Sequence, residues 1–143
     1  MEYRRGLHST YDLKYYIVFC TKYIYRVLTG QVATRAREVI REVCIANYID
    51  IISGSLSPDH LHLLLSIPPS ISVSKALQYI KDKSSRKLLQ EFEVLRKRYW
   101  GQHLWARGYF AVTVGNVNSE EVQRYIEDQE HHHKRDDFRI SEF

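Results

Sequence analysis

Apolar residues follow two different periods along the chain, and each change of period marks a predicted element. Residues 13–20, LKYYIVFC, are β-branched and aromatic and predict a buried first strand. Between residues 29 and about 47, apolar residues recur at helical spacing and predict a helix. Its apolar side is formed by Val32, Ala36, Val39, Ile40 and Val43.

Two short apolar runs follow close together. IDIISGSLS predicts a second strand that ends in a turn at residues 57–59. HLHLLLSI predicts a third strand, which Pro68 and Pro69 stop because proline removes a donor from the hydrogen-bond ladder. Two strands joined by so short a turn predict a hairpin.

The second half of the chain predicts two more helices and at least one more strand. A long helical pattern covers residues 72–92, and the segment 96–115 predicts one or two strands, most clearly at 110–114. Asn118, with Glu121 as its capping-box partner, begins a last helix that runs to about His133.

The order of elements predicts an α+β fold. The order β, α, β, β, α, β, α is typical of a ferredoxin-like (RRM-like) split βαβ arrangement, an antiparallel sheet with helices on one face, here with an added C-terminal helix. No internal repeat or linker divides the sequence, so residues 1–143 predict a single domain.

Composition narrows the class of protein. With 44% hydrophobic and 27% charged residues, 6 Gly and 3 Pro, the chain is typical of a globular domain. No stretch is long enough for a membrane span and the N-terminus lacks the apolar core of a signal peptide, so we expect a cytoplasmic protein. Cys20 and Cys44 lie outside any CxxC spacing and predict reduced core residues.

Charge is distributed unevenly along the sequence. Residues 75–107 contain nine Lys or Arg against three acidic residues, whereas residues 118–143 contain eight acidic residues against four basic ones. A basic middle beside an acidic tail indicates a polyanion partner held by one face. A solvated helix face explains the same charges, and charge content alone does not exclude it.

Two histidines, His60 and His62, flank one leucine at the start of the third strand. Side chains two apart on a strand point to the same face, about 6.6 Å apart along it, so both imidazoles could reach one metal ion. The alternative is a pair of ordinary histidines on a partly wet sheet face. A metal site needs a third ligand, because two histidines alone bind weakly.

The last predicted helix offers further ligands. Tyr125 and Gln129 are four residues apart and share one helix face with Val122 and Ile126. A phenol and an amide oxygen would thus meet the same ion if that face covers the histidines. Packing of Tyr125 against the two apolar residues is the simpler alternative, and spacing alone does not single out one of eleven tyrosines.

Four collinear blocks, PDHLHLLLSIPP, KDKSSRKLLQEF, YWGQHLWARGYF and VNSEEVQRYIEDQ, closely resemble one protein family. They are similar to the small single-tyrosine transposases (TnpA) of the HUH superfamily, found in bacterial and archaeal insertion sequences of the IS200 type. The resemblance covers nearly the whole chain. It implies a homodimeric, metal-dependent enzyme that cuts and rejoins single-stranded DNA at hairpin-bearing element ends.

The resemblance also implies roles for individual residues. His60, His62 and Gln129 would bind Mg²⁺ or Mn²⁺, and Tyr125, on the added C-terminal helix, would be the nucleophile. Tyr125 would become linked to a 5′ phosphate and leave a free 3′ hydroxyl, and it would complete the histidine site of the other subunit. No nucleotide cofactor is expected, and the sequence has no G-x-x-x-x-G-K phosphate loop.

The basic segment is a candidate DNA-binding surface. We expect seven side chains to neutralise phosphates of a folded hairpin: Lys81, Lys83, Arg86, Lys87, Arg96, Lys97 and Arg98. Tyr99, Trp100 and Trp105 would stack on unpaired bases or, alternatively, belong to a core or a dimer interface.

Some features leave alternatives open. His131, His132 and His133 follow the proposed third ligand and are either a solvated helix end or further ligands. Asp59 either fixes a histidine tautomer or is simply a turn residue. Three other functions compete with the transposase: a non-catalytic single-strand binding module, a domesticated relative that processes genomic repeats, and a metal-dependent hydrolase that releases a small phosphorylated product.

Overall fold

An antiparallel sheet of five strands forms the centre of the structure, a computed structural model that describes residues 4–5, 10–114 and 136–138. A separate ladder of two short strands precedes the sheet in the chain, β1 (Arg4–Arg5) and β2 (Thr10–Tyr11). The sheet itself contains β3 (Lys14–Cys20), β4 (Asp50–Ser57), β5 (His60–Ser66), β6 (Phe110–Thr113) and β7 (Asp136–Phe138).

Three helices connect these strands in the described part of the chain. Helix α1 (Gly30–Ala46) joins β3 to β4, and helices α2 (Val73–Glu91) and α3 (Glu93–Arg98) join β5 to β6. The strands lie side by side in the order β6-β3-β5-β4-β7, and all neighbours are antiparallel. The first four of these have the order of the ferredoxin-like split βαβ fold, so the predicted fold class is confirmed. Strand β7 adds an edge that the sequence pattern did not predict.

The core lies between the sheet and helices α1 and α2. Leu61, Leu63 and Leu65 of β5 are fully buried there, together with Ile40 of α1 and Ile80 of α2. Burying each such side chain contributes about 1.5–3 kcal/mol, and this burial fixes which face of β5 points inward. Alternation along β5 therefore directs these three leucines towards the helices.

The hairpin of β4 and β5 is confirmed, and a neighbouring loop holds its turn. Ser57 pairs with His60 in register on either side of Pro58 and Asp59. The backbone N–H of Thr21 donates to the Asp59 carbonyl at 2.9 Å, and that of Leu28 donates to the Pro58 carbonyl, also at 2.9 Å. The loop 21–28 therefore anchors the turn from which β5 begins.

The prediction of strands in the segment 96–115 was only partly right. Residues 110–113 form β6, but Arg96, Lys97 and Arg98 end helix α3, where positive charge suits the helix dipole. The Arg96 guanidinium donates to the carbonyls of Leu89 and Gln90 and so satisfies the last turn of α2.

The last predicted helix, over residues 118–133, lies outside the described residues. Of the helices in the described ranges, none is long and apolar enough to cross a membrane.

Candidate functional site

The two histidines of β5 lie on the sheet face opposite the helices. Alternation along the strand places His60, His62 and Leu64 on this face, and both imidazoles are half-buried. Their ring centroids are 4.8 Å apart, with the planes at 69° to each other. Two imidazoles this close can reach one ion, as the His-x-His spacing predicts.

Asp59 holds the ring of His60. Its Oδ1 lies 2.6 Å from Nδ1 of His60, and its Oδ2 lies 3.8 Å from a guanidinium nitrogen of Arg26. The Asp59 carbonyl accepts from both the backbone N–H and the hydroxyl of Thr21, at 2.9 and 3.3 Å. Of the two roles open for Asp59, the structure shows the side-chain contact to His60 as well as the turn position.

Tyr16, on the neighbouring strand β3, holds the ring of His62. Its hydroxyl lies 2.9 Å from Nδ1 of His62, and the two rings are stacked with centroids 6.0 Å apart. Phe110 of β6 packs edge-on against Tyr16, with centroids 6.1 Å apart. The Tyr16 ring is thus held between His62 and Phe110 of the edge strand β6. The sequence alone does not identify Tyr16, because its place beside His62 depends on the pairing of β3 with β5.

This arrangement suits a divalent cation. In each histidine, Nδ1 contacts a side chain of the protein, so an ion would be bound through Nε2, as in many carboxylate–histidine–metal sites. Neutral nitrogen donors fit Mn²⁺ and similar ions and leave the ion its full charge. Within the described ranges, no cluster of three or more His, Cys, Asp or Glu side chains could hold a metal.

Five of the predicted site residues lie outside the described residues. These are Tyr125, Gln129, His131, His132 and His133. Their predicted roles, and the position of the tyrosine helix, stay predictions.

Three of the predicted DNA-binding residues line a groove between α1 and α2. Lys83, Arg86 and Lys87 lie there with Glu42 and Asp82, around a space of about 590 Å³. Because α1 and α2 cover the leucine face of the sheet, this groove is on the opposite side of the sheet from the histidines. We refer to it as the helix groove.

The other basic candidates contact the protein itself. The Lys81 ammonium donates to the carbonyls of Ala106 and Gly108 at 2.7 and 2.9 Å, and burial lowers its pKa. Lys97 lies 3.4 Å from Glu93, one turn away. Lys81 therefore holds the loop before β6, and we leave it out of the DNA-binding proposal below.

The three aromatic candidates for base stacking differ in exposure. Tyr99 and Trp105 are 3% and 5% exposed and belong to the core, where the Trp105 indole donates to the Ser84 hydroxyl at 2.9 Å. Trp100 is 87% exposed. The core alternative is therefore confirmed for Tyr99 and Trp105, and Trp100 stays a stacking candidate.

Comparison with known proteins places the chain among transposases. The family model for "Transposase IS200 like" matches residues 9–129. The ISDra2 transposase TnpA of Deinococcus radiodurans is 32% identical over 129 residues, 90% of this chain and 92% of that protein. The transposase for insertion sequence element IS200 of Salmonella typhimurium is 36% identical over 122 residues, 85% and 80% of the two chains.

Solved structures share the fold. A crystal structure of a proposed transposase from Deinococcus radiodurans R1 has a TM-score of 0.71 at 29% identity, covering 88% of this chain and 97% of that one. A REP-associated tyrosine transposase bound to a REP hairpin has a TM-score of 0.58 at 16% identity, covering 89% and 68%.

Proposed function

Because the chain belongs to the IS200-like transposase family, we propose that this transposase cuts and rejoins single-stranded DNA at hairpin-bearing ends of its element. The observation that carries the proposal is the pair His60 and His62, whose rings lie 4.8 Å apart with both Nδ1 atoms held by Asp59 and Tyr16. A site prepared in this way serves phosphate chemistry assisted by a divalent ion.

The proposed reaction is a transesterification at phosphorus. The Tyr125 oxygen forms a bond to the phosphorus, the bond to the 3′ oxygen breaks, and the 3′ oxygen leaves as a hydroxyl after taking up a proton. The phenol proton passes to solvent or a base. In rejoining, a 3′ hydroxyl attacks the phosphotyrosine and Tyr125 leaves with a proton. The number of phosphodiester bonds is conserved, so no ATP is required.

His60, His62 and Gln129 would hold Mg²⁺ or Mn²⁺ in this proposal. When bound, such an ion would polarise the scissile phosphate and stabilise the charge that develops on its oxygens. Asp59 and Tyr16 keep the two imidazoles oriented towards the ion. A phenol has an ordinary pKa near 10, so Tyr125 needs a nearby cation or base to lose its proton at neutral pH.

A homodimer is part of the proposal, with Tyr125 of each subunit completing the histidine site of the other. Support comes from strand β6, which forms one edge of the sheet in the described part of the chain. All four of its residues are exposed, including Phe110 and Val112 at 58% and 46%. An exposed apolar edge strand is a surface that natural proteins usually cover, and a second copy of the chain would cover it.

DNA binding would use the helix groove and basic side chains of helix α3. Lys83, Arg86 and Lys87 in the groove, with exposed Arg98 and Lys97 of α3, offer charge for the phosphates of a hairpin. A transposase of the same fold was solved with a REP hairpin bound. We propose the same class of partner for this chain, together with an unpaired strand that reaches the histidines.

The decisive experiment looks for a covalent protein–DNA adduct. Single-stranded oligonucleotides from both flanks of the gene are incubated with Mn²⁺ or EDTA and separated on a denaturing gel. Wild type and Tyr48→Phe, a control tyrosine variant at the end of the sheet remote from His60, should give a metal-dependent, protease-sensitive band that Tyr125→Phe lacks. Mixing His60→Ala with Tyr125→Phe subunits should restore the band if the sites are shared.

Other outcomes would contradict parts of the proposal. Strong DNA binding without an adduct in any condition would indicate a non-catalytic binding protein. An adduct that survives in Tyr125→Phe would assign the nucleophile to another tyrosine. No recovery on mixing would exclude shared sites. Flanks without subterminal palindromes would favour a domesticated relative over a mobile copy.

A further inference from the structure

A second surface with the character of a ligand site lies beside the turn that carries Asp59. The loop 21–28 and helix α3 enclose a groove of about 530 Å³, which we call the Tyr25 groove. Aliphatic and aromatic side chains form most of it, including Ile24, Tyr25 and Val94, and its lining contains two arginines, Arg26 and Arg98, and no carboxylate.

Three tyrosines form a ladder from the core to the surface beside this groove. Buried Tyr99 contacts Tyr25 with ring centroids 5.5 Å apart, and Tyr25 contacts Tyr23 at 5.3 Å. Tyr23, the outermost ring, is 65% exposed. The ring planes are tilted by 44° and 50° from one ring to the next, so each ring packs against its neighbour without parallel stacking. A planar apolar group placed on the exposed face of Tyr23 would extend this row of aromatic contacts.

The backbone holds this outermost ring in an unfavourable conformation. Tyr23 has a φ of 63° and Ile24 a φ of 54°, in the left-handed region that β-branched residues rarely adopt. Ile24 is 63% exposed. Both side chains stay about two-thirds exposed despite the strained backbone, and strained backbone of this kind is common at ligand-binding positions.

Positive charge surrounds the ladder. The Arg98 guanidinium lies over the Tyr25 ring at 4.0 Å, and the Lys22 ammonium lies 5.3 Å from the centre of the Tyr23 ring. Arg26, with its side chain 70% exposed, lies 3.8 Å from Asp59, whose other oxygen contacts His60. A ligand that contacts Arg26 in the Tyr25 groove would thus be connected to His60 of the proposed metal site through Arg26 and Asp59.

We infer that the Tyr25 groove binds one unpaired nucleotide of single-stranded DNA, with its base stacked on Tyr23 and Ile24 and its phosphate contacted by Arg26 or Arg98. An exposed aromatic ring at the end of a row of tyrosines, beside a groove with two arginines and no carboxylate in its lining, suits a base and a phosphate in both shape and charge. The inference rests on the proposed function, since it adds a subsite for the strand that this activity cuts.

The test measures binding without cleavage. A fluorescent oligo(dT) of about 12 nucleotides is titrated in EDTA by anisotropy, because stacking on aromatic side chains is tolerant of sequence. Tyr23→Asn removes the ring while keeping a residue that accepts positive φ, and we expect affinity to fall at least about fivefold. Tyr23→Trp should bind at least as tightly as wild type.

The chain provides a matched control. Tyr48 is 76% exposed and has a φ of 58°, but it follows α1, at the end of β4 remote from Asp59. Tyr48→Asn should therefore leave affinity unchanged. Oligo(dT) carrying 5-iododeoxyuridine, irradiated in the complex, should crosslink to Tyr23 or Tyr25.

Several results would overturn the inference. These are equal affinities of Tyr23→Asn and Tyr48→Asn, crosslinks confined to other surfaces, or no binding of oligo(dT) by the wild type. The adduct experiment with the gene's own flanks tests the proposed function separately. An adduct with wild-type protein, together with unchanged binding in Tyr23→Asn, would reject the groove and retain the transposase chemistry.

Discussion

Tyr16 and Asp59 determine which ring nitrogen each histidine presents to an ion. A neutral imidazole carries its proton on one nitrogen only. A carboxylate oxygen accepts, so the contact to Asp59 favours a proton on Nδ1 of His60. The Tyr16 hydroxyl can accept as well as donate, so it allows the same tautomer in His62 without imposing it. Asp59 therefore favours, and Tyr16 permits, binding of a shared ion through both Nε2 atoms.

Removing the Tyr16 hydroxyl should therefore weaken metal binding. Tyr16→Phe keeps the ring that packs against Phe110 and loses only the contact to His62. We expect the affinity for Mn²⁺ to fall about tenfold, as for other groups that orient a metal-binding histidine. Titration followed by the electron paramagnetic resonance signal of free Mn²⁺ measures this directly.

The neighbouring tyrosine provides the control. Tyr15 lies on the opposite face of β3 and packs against the main core. Tyr15→Phe makes the same chemical change one residue away and should leave Mn²⁺ affinity at the wild-type value. If the two variants bind Mn²⁺ equally well, Tyr16 does not orient His62.

The site residues differ in how far the sequence could identify them. Side chains alternate between the two faces of a strand, so local geometry alone places His60 and His62 on the same face. Tyr16 is 46 residues from His62, and only the register of β3 on β5 brings them together. The sequence does not single out Tyr23, because a left-handed backbone at a tyrosine leaves no mark in the sequence. Tyr25 is not singled out either, because its contact with Tyr99 joins residues that are far apart in the chain.

Two lysines of helix α2 have different roles. Lys83 points into the helix groove, while Lys81 spans to the loop before β6 and donates to two carbonyls. The Lys81 ammonium also lies 5.6 Å from the centre of the Phe19 ring. Residues two apart on a helix point in different directions. In a run of basic residues, some side chains can therefore bond to the protein itself while others line a groove open to a ligand.

Substituting these two lysines should give opposite results. Lys81→Met removes the hydrogen bonds to Ala106 and Gly108, and we expect the free energy of unfolding to fall by about 1–2 kcal/mol. Lys83→Met should leave stability unchanged but lower the salt dependence of DNA binding by about one unit of slope. Urea denaturation and binding at several salt concentrations measure the two effects. A stable Lys81→Met protein with a reduced salt slope would instead make Lys81 a phosphate contact.

Element prediction succeeded where one face of an element is buried. Helices α1 and α2 and strands β3 to β5 each carry apolar residues at the spacing that the core requires. Strand β6 was predicted from its aromatic and β-branched residues, although all four of its residues are exposed. Helix α3 was missed because its six residues show only Leu95 buried, which is too short a pattern to separate from a strand. Helix α3 is stabilised by charged residues at its two ends and by the hydrogen bonds of Arg96 to α2. Interactions of this kind do not produce a periodic pattern in the sequence.

The three proposed DNA-binding sites lie on different parts of the molecule. The helix groove is on the helical layer, and the histidines are on the opposite face of the sheet. The Tyr25 groove lies beside the turn at Asp59, where β5 begins. A strand that leaves the Tyr25 groove past Asp59 would therefore reach the histidines, whereas the helix groove would contact a separate part of the DNA.

Global stability should fall at alkaline pH because of a buried thiol. Burial raises the pKa of Cys44 from its ordinary value of 9.0 to about 12. Above pH 9 the thiol ionises only in the unfolded chain, and this ionisation lowers the free energy of the unfolded state until the pH reaches the folded pKa. We expect a loss of about 2 kcal/mol between pH 8 and pH 10.5, measured by urea denaturation.

Other groups titrate in the same range, so a variant is needed for comparison. Burial raises the pKa of Tyr99 and acts in the same direction, whereas burial lowers the pKa of Lys81 and makes stability rise with pH. Cys44→Ala removes only the thiol contribution. The difference in pH dependence between wild type and Cys44→Ala should therefore be about 2 kcal/mol, and parallel profiles would show that the thiol titrates equally in both states.

Because the histidines lie on the central strand β5, their separation requires unfolding of the middle of the sheet. Strand β5 is the middle strand of five and pairs along its length with β3 and β4. Fraying of an edge strand, which occurs at small cost in most sheets, does not separate His60 from His62. The two histidines separate only when the central strand opens, which is the rarest opening event in such a sheet. Backbone amides of β5 should thus be among the slowest to exchange with solvent, and an ion bound there would resist release by local fluctuation.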